Sequence, residues 1–354
     1  MPPVLRYILR RLLTIPVSFI IITATLYGLL MLAPAEERAT LYLPRRMPQH
    51  ADPAHILEVI VRDYGLNDPF PIQYTRWLGN LVRGDWGFSP VRREDVLSAL
   101  LARAPVTAEL AVYSVLVFIP LGLISGAVAA RRVRSPSDNA IRIAAFIGTS
   151  VPPFIFGLML LSVFYVALGW LAPWRLSTTH DLFVRSAGFH TFTGFLTLDG
   201  FLNGRPDISL DALRHLVMPV VTLSLAHWAT LGRLTRAAIL DEMRRAYVVS
   251  ARARGLSGGA VLWRHAFRNA LIPALNSTAL SAANLVTGVF VVEAVFGFHG
   301  LSELITTAVA FTPDVPMATG FAVFSVLLVL PLMFLLDILQ ALVDPRIREG
   351  IAGE

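Results

Sequence analysis

Few side chains in this sequence could carry chemistry, and most of them lie inside long apolar stretches. Glu293 and Asp337 are acidic residues in two such stretches, and His227 lies in a third. An ionisable group at membrane depth is costly, so each is a candidate for a functional role. Because Glu293 lies near the outer end of its stretch, we expect its carboxylate to face water, an arginine or a pore. For His227, a packed histidine and a pore-lining histidine both stay open.

A row of small and polar residues precedes Glu293. Its members are spaced three or four apart and share one helical face, and they are Ser277, Ser281, Asn284 and Gly288. Such a face is typical of close helix packing, but it can also line a pore. We therefore treat Ser277, Ser281 and Asn284, with Glu293 and His227, as candidate residues of a translocation pathway or gate.

Enzymatic motifs are absent from the sequence. The 30 lysine-or-arginine positions are all arginine, so a standard phosphate loop, which needs a lysine, cannot occur. There is also no His-Glu-x-x-His pattern, and the Gly-x-Ser-x-Gly spacing at 255–259 follows a predicted helix rather than the strand that a nucleophile elbow needs. We expect no catalytic, cofactor or metal site on this chain, and we expect any ATP hydrolysis to occur on another chain.

The composition favours a membrane protein. Of the 354 residues, 55% are hydrophobic and only 15% are charged, whereas about a quarter are charged in a soluble domain. Apolar windows of about 20 residues predict six membrane-spanning helices. They lie near 11–34, 107–130, 143–169, 213–236, 271–296 and 318–342. The predicted fold class is therefore an all-α integral membrane protein.

Arginines in the short connections predict the orientation. They are Arg6, Arg10, Arg11, Arg131, Arg132, Arg134, Arg142, Arg346 and Arg348. Because cytoplasmic loops carry an excess of basic residues, we expect both termini and the connection between spans four and five to be cytoplasmic. The first stretch runs on through Met31 without a small-residue cleavage site, so we expect a retained span rather than a signal peptide.

The first outer connection predicts short surface helices. Apolar residues recur at helical spacing over 55–64 and 72–82, and Asn67-Asp68-Pro69 breaks the pattern between them. Trp77 and Trp86 are expected to anchor these helices at the membrane interface. The predicted organisation is an N-terminal segment with the first helix (1–34), this outer loop (35–106), a core of five spanning helices (107–348) and a tail (349–354).

The most informative stretch is 241–270, called the polar segment below. It is too polar to span a membrane, and its pattern predicts a helix over 247–254, a stop at Gly255 and a second short helix over 260–270. A helix this short is not stable alone, so a docking partner is expected. The alternative is an arginine-rich stretch that lies on anionic lipid headgroups.

At these residues the chain resembles the inner-membrane permeases of the dipeptide, oligopeptide and nickel class of ABC importers, whose fold is the type I importer permease. The resemblance covers nearly the whole chain. It rests on the motifs LRYILRRLL (5–13), GLNDPFPIQYTRWLGNLVRGDWGFS (65–89), HLVMPVVTLSL (215–225), SARARGLSGGAVLWRHAFRNALIP (250–273), EAVFGFHGL (293–301) and DPRIR (344–348).

The resemblance implies that the polar segment contains a coupling helix, which inserts into a groove of an ATPase subunit. Carried over by position, the contact comprises Ala251, Gly255, His265 and Asn269, flanked by Arg252, Arg264 and Arg268. The implied partners are a second homologous permease, ATPase subunits that bind ATP and Mg²⁺, an external solute-binding protein and the lipid of a bacterial inner membrane. No nucleic acid is implied.

The resemblance leaves the substrate open among dipeptides, oligopeptides, nickel chelates, glutathione and peptide antibiotics. It also leaves open whether the two ATPases are separate chains or one fused chain. The alternative function is a secondary transporter or channel that works without ATPase subunits. Such a protein usually has internal repeats and charged residues near the membrane midplane, and the sequence shows neither a repeat nor a midplane charge pair.

Overall fold

A computed structural model describes residues 3–44, 53–310 and 313–343. Regular structure in these ranges is almost entirely helical, which confirms the predicted all-α class. The elements are α1 (Pro3–Leu30), α2 (Ala35–Ala39), α3 (Pro53–Asp63), α4 (Phe70–Val82), β1 (Phe88–Ser89), β2 (Glu94–Asp95), α5 (Val96–Arg131), α6 (Pro136–Ser150), α7 (Pro153–Leu160), α8 (Thr178–Val184), α9 (Leu196–Leu202), α10 (Pro206–Glu242), α11 (Ala246–Ala253), α12 (Gly258–Ala260), α13 (Phe267–Phe296), α14 (Leu301–Ala310) and α15 (Val315–Val343).

Five of the six predicted spans each fall on one of these helices, and the third falls on α6 and α7. By length and composition, three helices are able to cross a membrane, namely α1 over Leu12–Leu30, α5 and α10. The number rises to five if two helix pairs with short breaks each count as one span. These pairs are α6 with Pro153–Ala167 and the end of α13 with α14. Helix α15 is apolar over Val315–Pro331 and runs on to Val343.

The third predicted span is broken rather than continuous. Helices α6 and α7 meet at an angle of 106°, and Val151 between them is extended, with φ −92° and ψ 122°. Pro152 and Pro153 follow directly, and proline both lacks an N–H donor and disfavours a helical residue before it. The sequence therefore predicts the position of the kink but not its size.

The described chain divides into two compact units. The first unit is built mainly from Val106–Phe298, and its core is formed by apolar residues of α5, α10 and α13, including Phe118, Leu231 and Phe296. Helices α5 and α10 approach closely at Gly126, where a Cβ atom would lie 2.7 Å from the carbonyl oxygen of Gly232. Small residues allow such close contacts between membrane helices.

The second unit comprises Leu5–Pro105 and His299–Phe334. The two helices predicted in the outer connection are present as α3 and α4. Tyr74 of α4 lies 2.9 Å from Thr23 of α1, oxygen to oxygen, and the Trp77 ring packs 5.0 Å from the ring of Tyr27. Trp77 is only 5% exposed, so the prediction that it anchors the helix at the membrane interface is wrong. Its ring instead fills the contact between α1 and α4.

Candidate functional site

The polar segment folds as a helix, a tight turn and a second helix. Helix α11 ends at Ala253, and Gly255 has φ +81°, a conformation that glycine adopts without strain. The Ser257 hydroxyl then accepts a hydrogen bond of 3.3 Å from the backbone N–H of Ala260 and caps the next helix. The predicted first helix and its stop at Gly255 are confirmed.

The second helix of the polar segment is not a separate short element. Helix α12 continues through π-helical turns over Val261–Ala266 directly into α13. The expected end near residue 270 is wrong, because α13 runs unbroken from Phe267 to Phe296. The turn at Gly255 is therefore followed by a continuous helical path into the fifth predicted span.

Four apolar side chains of the polar segment pack inside the first unit. Val248, Ala251 and Val261 form one buried cluster, and Leu262 packs with Ile239 and other residues of α5, α10 and α13 in a second. Ala251 is only 1% exposed. Its side chain therefore supports α11 from within the chain rather than presenting itself to a partner.

A polar link joins the end of α10, helix α11 and the start of α13. The Tyr247 hydroxyl donates a hydrogen bond of 2.6 Å to the Glu242 carboxylate, and the Asn269 amide donates one of 3.0 Å to the same hydroxyl. Burial and the hydrogen bond to Glu242 raise the pKa of Tyr247, so it stays a neutral donor. Asn269, predicted as a coupling residue, is thus part of this internal link.

The outward face of the polar segment is cationic with apolar patches. Its exposed arginines are Arg252, Arg254, Arg264 and Arg268, and the described part of the chain gives none of them an ion pair. Its exposed apolar side chains are Val249, Leu256 and Trp263. These three were not predicted as site residues, although apolar side chains within an otherwise polar segment were a usable signal. The side chain of His265 is half-buried. Such a face suits an acidic protein surface with an apolar pocket.

Glu293 is buried within the first unit. Its side chain is 0% exposed, and the Thr107 hydroxyl donates a hydrogen bond of 2.5 Å to its carboxylate. Of the three environments predicted for this carboxylate, its burial rules out water in this structure, while an arginine and a pore stay predictions. Three residues further on, α13 ends, and Gly297 caps it with φ +68°.

The other candidate pathway residues fall in different environments. Ser281 is buried and Asn284 is exposed on the same helix, so the predicted face combines packing with an open polar position. The ring of half-buried His227 packs 5.4 Å from that of Phe118, as expected for a packed histidine. The side chains of Ser277 and Asp337 lie outside the described residues.

One buried acid was missed by the sequence analysis. Glu109 of α5 accepts a hydrogen bond of 2.5 Å from Arg175 and two from Thr197, at 3.0 Å from its N–H and 2.7 Å from its hydroxyl. The signal was an acidic residue in the first turn of the predicted span 107–130. The contact ties α5 to the chain that precedes α10.

Two family models together match most of the chain. The first is described as "Binding-protein-dependent transport system inner membrane component" and matches residues 119–349. The second is described as "Binding-prot-dependent transport system membrane comp, N-term" and matches residues 4–111. The N-terminal match ends and the other begins inside α5, so together they cover most helices of the first unit and the outer connection of the second.

Curated relatives match along almost the whole length of both chains. The di/tripeptide transport system permease protein DppB of Pseudomonas aeruginosa is 34% identical over 97% of this chain and 99% of its own. The oligopeptide transport system permease protein AppB of Bacillus subtilis is 35% identical over the same shares. The probable D,D-dipeptide transport system permease protein DdpB of Escherichia coli is 32% identical over 83% and 85%. The chain thus belongs to the family of binding-protein-dependent transport system inner membrane components, as a permease of the peptide class of ABC importers.

Proposed function

We propose that this chain forms half of the translocation pathway of an ATP-driven importer for peptides or peptide-like solutes, paired with a second homologous permease. The family supports a transport role rather than a catalytic one. Relatives matched over nearly their full length are named as permeases for dipeptides, tripeptides and oligopeptides. We extend that substrate class to this chain, with the solute delivered by an external binding protein.

The observation that carries the mechanism is the position of the polar segment. Its outward face is cationic and partly apolar, while its inward face is fixed to α10 by Tyr247 and Leu262. Its second helix is continuous with α13. A displacement of α11 by an ATPase subunit would therefore be transmitted to both helices, because rigid packed elements move together.

In this proposal the ATPases lie in the cytoplasm and bind ATP and Mg²⁺ themselves. The arginines around the polar segment and in the turn after α5 support a cytoplasmic location for this face. Both chain termini are then cytoplasmic as well. The exposed residues Arg252, Arg264 and Leu256 would contact the ATPase directly, while Gly255 sets the turn between the helices.

Transport by the purified complex tests this function. The chain is co-expressed with the permease, ATPase and binding-protein genes that accompany it, and the complex is reconstituted in proteoliposomes. We expect uptake of a labelled peptide only with the binding protein on one side and ATP on the opposite side. Uptake driven by an ion gradient without ATPase subunits would support a secondary transporter instead and would overturn the proposal.

A further inference from the structure

A basic cleft lies between α6 and α10 on the side where the arginine-rich turn follows α5. It has a volume of about 680 Å³ and is lined by Asn139, Arg142, Ile143, Phe146, Arg233 and Arg236. Four of these residues come from about two turns of α6, and the two others lie about one turn apart on α10. The lining includes neither Glu293 nor a residue of the polar segment.

The charge of the cleft is only partly balanced within the chain. Arg236 binds Asp138 through two hydrogen bonds, of 2.7 and 2.9 Å, and Asp138 is fully buried. Arg142 and Arg233 are exposed, and among the described residues neither has an ion pair. Three arginines and one aspartate therefore leave a net charge of +2 around the opening.

The rest of the lining is apolar and turned outward. The exposed fractions are 61% for Ile143 and 69% for Phe146. Ile143 directly follows Arg142 on α6, and Phe146 lies one turn beyond Arg142. A small soluble anion would use the arginines but leave this wall uncovered. An amphiphile with an anionic head and an acyl chain would use both, because its head pairs with guanidinium groups while its chain covers apolar surface.

The expected position of the cleft, near the cytoplasmic side of the membrane, also fits an anionic amphiphile. Helix α6 begins after the turn that contains Arg131, Arg132 and Arg134, which the arginine bias predicts to be cytoplasmic. The cytoplasmic leaflet carries anionic lipids, and basic pockets between membrane helices on this side bind their headgroups. Unpaired arginines are costly at membrane depth, so a lipid phosphate would also relieve the exposure of Arg142 and Arg233 to the bilayer.

We propose that the cleft between α6 and α10 is a binding site for one anionic phospholipid of the cytoplasmic leaflet. The phosphate lies between Arg142 and Arg233, and Asn139 is placed to donate a further hydrogen bond. One acyl chain runs along Ile143 and Phe146. Arg236, held by Asp138, forms the back of the site and ties it to α10, so the lipid bridges the two helices.

Native mass spectrometry of the full chain tests this site. The chain is incorporated into nanodiscs of phosphatidylcholine mixed with phosphatidylglycerol, released into mild detergent, and the retained phosphatidylglycerol is counted. The test variant is Arg142→Gln with Arg233→Gln. The matched control is Arg131→Gln with Arg132→Gln, which removes the same charge from exposed positions on the same side. We expect the test variant to retain at least about tenfold less phosphatidylglycerol, and the control to match the wild type.

Two further measurements separate lipid binding from misfolding and from binding of free phosphate. Arg142→Lys with Arg233→Lys keeps the charge and should retain the lipid, which distinguishes lost binding from lost folding. Excess inorganic phosphate should not displace it. Equal loss in the test and control variants, loss in the lysine variant, or displacement by phosphate would each overturn the proposal. So would full lipid retention by the glutamine variant together with loss of a partner subunit, which would assign the cleft to a protein contact.

Discussion

The hydroxyl of Thr107 lies 2.5 Å from a carboxylate oxygen of Glu293, and both side chains are buried. The contact joins α5 to the last turn of α13, immediately before Gly297 ends that helix. The two residues are 186 positions apart in the chain. A carboxylate in this place holds two candidate membrane helices together, and a change in its charge or partner would alter how they meet.

Replacement of Glu293 by glutamine separates charge from packing. Glutamine keeps the size and an acceptor oxygen for Thr107 but removes the negative charge. We expect Glu293→Gln to change peptide uptake, or the stimulation of ATPase activity by the binding protein, without lowering the amount of assembled complex. Glu293→Asp should be milder, since it keeps the charge. If Glu293→Gln matches the wild type in both assays, the carboxylate has no role in the gate.

Substitution of Gly255 tests the turn in the polar segment. Proline cannot adopt φ +81°, and it also lacks the N–H that Gly255 donates to the Arg252 carbonyl at 2.9 Å. We expect Gly255→Pro to abolish ATP-driven uptake while membrane insertion, measured by protease protection, stays intact. Gly258→Ala is the control, because a Cβ there meets no atom within 4 Å. Normal uptake by Gly255→Pro would remove the coupling role of this turn.

The pair of Glu109 and Arg175 is expected to stabilise the first unit. Arg175→Gln would leave a carboxylate that is almost fully buried, and loss of one partner of a buried ion pair costs about 3–5 kcal/mol. We expect a clear fall in the thermal unfolding midpoint of the detergent-purified chain. Arg185→Gln is the control, since Arg185 and its partner Asp181 are both exposed and such pairs contribute about 1 kcal/mol or less. Equal midpoints for the two variants would contradict this account.

Close packing of α5 on α10 makes a separate prediction. A Cβ at Gly126 would lie 2.7 Å from the backbone oxygen of Gly232, which cannot move aside as a side chain could. We expect Gly126→Ala to destabilise the chain by about 1–3 kcal/mol. At Gly79 in α4 a Cβ meets nothing within 4 Å, so Gly79→Ala should be neutral or stabilising by up to about 1 kcal/mol. Thermal unfolding of the two alanine variants gives the comparison, and a neutral Gly126→Ala would rule out the close contact.

Features set by neighbouring residues could be predicted from the sequence. Apolar windows located all six long helical regions, and helical spacing placed 247–254 within one residue of α11. Pro152 and Pro153 located the break in the third span, because proline acts on its own backbone.

Features that depend on contacts between residues far apart in the sequence could not be predicted from it. The burial of Glu293 depends on Thr107, and the burial of Trp77 depends on Tyr27. Neither partner is near in sequence, so neither contact could be predicted from the sequence. The continuity of the polar segment with α13 was missed for a different reason, since no local signal marks whether one helix ends there or passes into the next.

Cross-linking from the turn of the polar segment tests the central claim most directly. The chain has no cysteine, so Ser257→Cys gives a single thiol on the exposed turn after Gly255. In the assembled transporter we expect a short thiol-directed cross-linker to join this position to the ATPase subunit, and ATP to change the yield. Phe192→Cys, exposed in the connection before α9, should give no such product. A cross-link to the ATPase from Phe192→Cys but not from Ser257→Cys would contradict the account.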